Sequence, residues 1–203
     1  NIKYALYAPD AAVTEPYLTS IAFMEHAMKN GAELFRSCGV KGITTSDMYI
    51  LHTEKGEYGA RFVVNAAGIK GDEISAMAGA EAFRLLSRHG ELIIFDKKYG
   101  IHMNMSLFPI PTPESKGITI GTKISGNPSL GSTSVLMEKE FGENTRKGIH
   151  ELLKGAERSV PDIGSCKVIR MFSGERAVME QSPHDFYIRP SEKIKHFIQV
   201  VGI

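Results

Sequence analysis

Two stretches of this 203-residue chain place residue types where they can do chemistry. The first is the apolar run Phe62-Val63-Val64, ending in Asn65-Ala66-Ala67-Gly68 and followed by a helical segment from Asp72 to Met77. Small residues at a strand end let a ligand or another backbone come close, and N–H groups at a helix start attract anions. Such a unit makes one wall of a dinucleotide site, and the same pattern also serves tight strand–helix packing. The phosphate-cradling Gly-x-Gly-x-x-Gly turn occurs nowhere. The second stretch is Phe172-Ser173-Gly174-Glu175-Arg176, read as a strand that ends at Gly174 and delivers a cation. Arginine grips a carboxylate or phosphate through two parallel bonds, although a surface arginine at a turn reads the same way.

A third group, His102, Asn104 and Ser106, alternates with Ile101, Met103, Met105 and Leu107. Its period of two gives an apolar face and a polar face. The polar face lines a pocket or forms the wet side of an antiparallel sheet. The other histidines are scattered, and His184-Asp185 has no partner at metal-ligand spacing, so no metal is expected. Cys38 and Cys166 form no framework and read as ordinary thiols of a reducing compartment. Neither Gly-x-Ser-x-Gly nor His-Glu-x-x-His occurs.

The elements that position these residues follow from periodicity. Thr14-Glu15-Pro16 opens a helix over 16–29, which Asn30-Gly31 stops. Short strands are predicted at 3–8, 32–36, 40–53 (broken near 44–47) and 58–65, with Glu54-Lys55-Gly56-Glu57 as a hairpin turn. Residues 91–96 and 101–108 read as a strand pair, with a further strand at 117–124 and a turn at Gly126-Asn127-Pro128. A second helix over 144–157 presents Ile149, Leu152, Leu153 and Ala156 on one face, with Asn144 as its cap. Strands follow near 167–173, 185–189 and 196–201.

Composition excludes several classes. Twenty-four basic and 23 acidic side chains leave a net charge of +1, without the basic excess that nucleic-acid binding requires. No apolar run approaches the roughly 20 residues of a membrane span. No secretory signal is visible, and the expected location is cytoplasmic, either free or at a membrane periphery. The chain opens on Asn1 and closes on Phe197-Ile198-Gln199-Val200-Val201-Gly202-Ile203, which reads as a piece of a longer protein.

Taken in order, several segments resemble one family. They are the 7–16 stretch leading into the first helix, Phe62-Val63-Val64-Asn65-Ala66-Ala67-Gly68, Arg88-His89-Gly90-Glu91, Leu107-Phe108-Pro109-Ile110-Pro111, Gly126-Asn127-Pro128-Ser129-Leu130-Gly131, Phe172-Ser173-Gly174-Glu175-Arg176, Asp185-Phe186-Tyr187-Ile188 and the final strand. The order is similar to that of FAD-dependent oxidoreductases of the D-amino-acid oxidase superfamily, in the branch of glycerol-3-phosphate dehydrogenase and L-2-hydroxyglutarate oxidase.

The resemblance implies an α+β fold: a mixed, mainly antiparallel sheet packed with helices, plus a helix and small β-hairpin belonging to a flavin-binding domain. Residues 1–203 would be the central fragment of a larger flavoenzyme. Of these, 16–78 would lie mostly on the FAD side, and 1–15 and 79–203 mostly in the substrate-binding domain. It implies FAD as the cofactor of the parent, not retained by this piece, which alone would be inactive. The remaining partners would be a small anionic substrate and the Rossmann domain of the parent chain.

Residue by residue, Val40 matches a strand on the adenine side, Ala66, Ala67 and Gly68 a turn against the cofactor, and Arg176 a substrate-binding arginine. Family histidines fall on Met105 and Ser125, so the catalytic residue is not named, with His102 as the candidate. Lys123 also departs from the pattern. These departures keep a second reading open, a non-catalytic module that grips a small anion or a partner.

Overall fold

The computed structural model describes residues 3–98, 101, 103–111, 117–138, 142–183 and 185–202. Helix α1 (Pro16–Lys29) occupies its predicted span. Pro16 sits in the first turn, and the Asn30 backbone N–H closes the end on the carbonyls of His26 and Ala27. Its apolar side chains are largely open: no residue of α1 is buried, and Phe23 is 74 % exposed. Residues 3–8 and 32–36, expected as strands, are irregular. A strand needs a ladder partner for its N–H and C=O groups, and neither segment has one among the described residues.

Strands β1 (Val40–Thr45), β2 (Tyr49–Thr53) and β3 (Gly56–Ala60) form an antiparallel meander in the order β1-β2-β3. Thr53 faces Gly56 across a two-residue turn. The predicted 58–65 strand divides at Arg61-Phe62, because β3 and β4 (Val63–Asn65) belong to different sheets. A 3-10 turn over Gly68–Lys70 then leads into the short helix α2 (Gly71–Met77).

The largest sheet is built on β5 (Leu85–Phe95). Strands β6 (Thr119–Thr122), β7 (Pro128–Gly131) and β8 (Val135–Met137) come next along the chain. Helix α3 (Arg146–Glu157) and β9 (Val168–Met179) complete the unit. Strand β9 pairs with β5 along its whole length, while β7 and β8 take the other edge at Leu92–Ile94 and Ser87–His89. That occupancy explains why 101–108 is not the partner of 91–96. Both edges of β5 are used, and among the described residues the segment contributes the bridge between Leu107 and Ile120. Strand β9 also runs through Gly174 instead of stopping there. The N-cap of α3 is Thr145, not Asn144: its hydroxyl accepts the Gly148 N–H at 2.9 Å.

Strands β10 (Tyr187–Pro190) and β11 (Phe197–Val201) pair antiparallel, and β11 pairs parallel with β4. Strands β10 and β11, near the end of the chain, thus share a sheet with β4. Three apolar clusters hold the parts together. Ile93, Phe95, Ile120, Leu130, Leu152 and Ile163 fill the space between the large sheet and α3. Tyr49, Val63, Ala78 and Phe197 join the meander, α2 and the β4–β11 pair. Leu85, Ala177, Met179 and Val201 fasten the large sheet to the β10-β11-β4 sheet. Mixed and antiparallel sheets together with the helices make the fold α+β.

Candidate functional site

The side chains of β5 alternate strictly between a buried face and a half-buried one. On the half-buried face the pairing register sets Arg88 opposite Arg176, Gly90 opposite Gly174, Leu92 opposite Phe172 and Ile94 opposite Arg170. Arg176, Gly174 and Phe172 are all exposed on β9. A methyl placed on Gly174 would meet nothing within 4 Å, whereas one on Gly90 would press on the Thr133 carbonyl at 3.2 Å and on Ser132 at 3.3 Å, so the face is open on the β9 side and covered on the β5 side. Arg88 Nη1 donates to Ser134 Oγ at 3.0 Å. The result is a shelf with two arginine positions at one end, a glycine pair in the middle and apolar side chains beyond.

Directly beneath lies a buried polar layer that sequence reasoning missed. Glu175 accepts from His89 Nδ1 at 2.6 Å, from the Gly142 N–H at 3.0 Å, and from the Ser87 hydroxyl. Burial alone pushes the Glu175 carboxyl up, but the Ser87, His89 and Gly142 donors outweigh it and hold it below the usual carboxylate range. Glu91 accepts from the Thr145 backbone N–H under the start of α3, where helix polarity favours an anion. The Glu91 N–H donates to Thr133 Oγ1 at 2.9 Å. The available signal was the alternation itself: Ser87, His89 and Glu91 fall in phase with Leu85, Ile93 and Phe95.

The expected cofactor turn is also on the surface. Ala66, Ala67 and Gly68 are exposed, while Asn65 just before them is 2 % exposed. The 3-10 turn that begins at Gly68 packs against β9 and β5, so this turn and the strand of Arg176 are neighbours. The start of α2 is not an anion site, because Asp72 occupies it: its Oδ1 accepts the Glu73 N–H at 2.9 Å and its Oδ2 the Leu85 N–H at 3.0 Å. The turn therefore suits a neutral or apolar part of a ligand.

Val40 stands apart in the meander, whose link to the remainder runs through α2 and through Tyr49, which donates to the Lys195 carbonyl at 2.5 Å. His102 lies outside the described residues. Met105 is exposed, and the Ser125 hydroxyl lies 3.0 Å from Asn127 Oδ1. Lys123 sits 3.8 Å from the Glu15 carboxylate and lines a shallow depression with Ser106.

Small residues face outward at the turn, and Gly174 leaves its part of β9 without a side chain. The model of the FAD-dependent oxidoreductase family matches residues 1–203. The chain belongs to this family. It is 32 % identical over 205 residues to a glycerol 3-phosphate dehydrogenase of Caloramator mitchellensis, covering 100 % of this chain and 42 % of that protein. It is 22 % identical over 143 residues to an L-2-hydroxyglutarate dehydrogenase of Indibacter alkaliphilus, covering 68 % of this chain and 36 % of that one. In fold it is similar to the L-alpha-glycerophosphate oxidase of Mycoplasma pneumoniae solved with FAD bound. There the TM-score is 0.84 at 23 % identity, over 92 % of this chain and 50 % of that one. The chain thus spans about half the length of the relatives it matches. Among the described residues no helix is long and apolar enough to cross a membrane.

Proposed function

We propose that these 203 residues are the substrate-side region of an FAD-dependent dehydrogenase or oxidase acting on glycerol 3-phosphate or a small 2-hydroxy acid. The observation that carries the reading is the shelf on β5 and β9. Arg176 is exposed on β9, where its guanidinium can grip a small anion through two parallel bonds. A phosphate or carboxylate held by Arg176 would fix the rest of a small substrate over the glycine pair. Ala66, Ala67 and Gly68 would border the cofactor, and Val40 would lie on its adenine side. FAD, when bound, supplies the hydride acceptor. The rest of a longer parent chain, containing a Rossmann domain, would complete the site.

The test uses the full-length parent. It is expected to purify with flavin, and glycerol 3-phosphate or L-2-hydroxyglutarate added without oxygen should bleach it. Arg176→Ala should lower kcat/KM by about 2–5 kcal/mol, the scale of removing one partner of a buried charge pair, while the melting temperature stays put. A parent free of flavin, or an Arg176→Ala variant with full kcat/KM, rejects the proposal.

The exposed thioether of Met105 and the hydroxyl of Ser125 support the second reading. Neither offers the imidazole that the family pattern has there, as a module that grips an anion without turnover would allow. Flavin that is present but never bleached would select it.

A further inference from the structure

We propose that Ser132 is a specificity-determining residue of the β5–β9 shelf, where its hydroxyl takes the free terminal hydroxyl of a small polyol phosphate whose anion is held by Arg176. The proposal rests on the function proposed above and narrows its substrate to glycerol 3-phosphate.

The placement of Ser132 follows from its neighbours. Ser132-Thr133-Ser134 joins β7 to β8 along one edge of β5. Thr133 is 2 % exposed and points inward. Its N–H donates to the Glu91 carbonyl at 3.1 Å, and its Oγ1 accepts the Glu91 N–H at 2.9 Å. On the other side, Gly131 lies opposite Leu92, so close that a Cβ on it would stand 2.6 Å from the Leu92 Cβ. Both neighbours of Ser132 are therefore fastened to β5, and alternation turns Ser132 to the opposite face from Thr133. That is the face of Arg88, Gly90 and Leu92. Ser132 Cβ and Oγ both lie 3.3 Å from the point where a Gly90 Cβ would be. Glycine at position 90 thus makes room for this hydroxyl.

The hydroxyl is also unspent. Ser134, on the same face, accepts from Arg88 Nη1 at 3.0 Å. Ser132 is exposed, and among the described residues its hydroxyl has no hydrogen-bond partner. A serine whose backbone is held this firmly offers a ligand one donor and an acceptor at a fixed place.

The ground between Ser132 and Arg176 is open. Gly90 faces Gly174 across the strand pair, and the Cβ positions of such a pair are about 5 Å apart. Arg176 stands two residues along β9 on the same face, about 7 Å from Gly174 at the rise of a strand. Gly174 therefore has a hydroxyl across from it, a guanidinium beside it and nothing above it. A three-carbon phosphate ester suits that interval. Its phosphate would take two parallel bonds from Arg176, its terminal hydroxyl would meet Ser132, and its oxidisable carbon would lie between them. A hydroxyl is matched by a neutral group that both gives and accepts a proton, whereas the second carboxylate of a dicarboxylate calls for a cation.

The experiment uses the full-length parent, as wild type and as Ser132→Ala, with two substrates. One is glycerol 3-phosphate. The other is its 1-deoxy analogue, propanediol phosphate, which keeps the phosphate and the secondary hydroxyl but ends in a methyl group. Wild type should favour glycerol 3-phosphate in kcat/KM by about tenfold, the worth of one net hydrogen bond. Ser132→Ala should bring the two substrates level and leave the melting temperature in place, a result that a structural role for Ser132 would not give. A preference that survives in Ser132→Ala, or a wild type that does not distinguish the two, overturns the proposal and leaves the function standing. A parent that oxidises L-2-hydroxyglutarate but not glycerol 3-phosphate does the same. A parent that oxidises neither overturns both.

Discussion

The large sheet with α3 and the α1–meander region treat their apolar side chains in opposite ways. The first buries Ile93, Phe95, Leu130 and Leu152 against one another. The second leaves Tyr17, Phe23 and Ile21 of α1 open, along with Val64 on β4 and Ile188 on β10. The surface area says the same for the whole: a compact 22.3 kDa chain exposes about 9,400 Å², and this one exposes 14237 Å². Strands β4 and β11 are parallel, and parallel strands are covered on both faces in known folds. Here only the face of Val63, Phe197 and Val201 is covered. One region is thus a finished core, and the other leaves apolar side chains open.

The sharpest way to break this contrast is to empty the finished core. Leu152→Ala should cost about 2–5 kcal/mol, read from denaturant unfolding. A loss near zero would mean that α3 is no part of a cooperative unit. Acid comes next. Glu175 lies below the usual carboxylate range in the folded chain and Glu81, where the Ser191, Glu192 and Gln199 donors outweigh burial, at about 2, whereas an unfolded glutamate titrates near about 4.3. Their stabilisation is therefore complete above that unfolded value and drains away as pH falls through it towards the folded values. The melting temperature should fall steeply below about pH 4, and Glu81→Gln should flatten part of that slope. An unchanged slope in the variant would contradict the assignment.

The contrast was only partly legible in the sequence, and the reasons are physical. Helix α1 was found to the residue because Pro16 and Asn30-Gly31 are local signals. That its stripe would lie open was not, since burial depends on what else is present. Strand β5 was found only from residue 91 onward, because Ser87, His89 and Glu91 put polar groups on the face that points inward. Glu81 carried no local signal at all, whereas Gln199 did: an amide in the middle of Phe197-Ile198-Gln199-Val200-Val201 needs partners. The open Arg176 side chain was anticipated, but its cross-strand neighbour Arg88 follows from the register of two strands distant in sequence.

Smaller effects sharpen the boundary between the regions. Thr145→Ala removes the cap of α3 and should cost about 1 kcal/mol, measured by thermal unfolding, whereas Asn144→Ala should be close to silent. A larger effect at Asn144 would restore it as the cap. On α1, Ile21→Ser should shift the stability of the 203-residue chain by no more than about 0.5 kcal/mol. In the longer parent, where the helix is expected to be covered, the same change should cost about 1–3 kcal/mol. Equal effects in both would erase the distinction between the regions.

The parallel pairing of β4 with β11 also bears on how the chain is made. Asn65 and its partner Gln199 are separated by 134 positions. At the pace of translation, that interval is on the order of ten seconds. Throughout it, β4 has emerged from the ribosome with no strand to receive it, and the Asn65 amide has no Gln199 to pair with. The surface turn is therefore among the last parts of this chain to acquire its final form, well after the 85–179 sheet has had all its strands to hand.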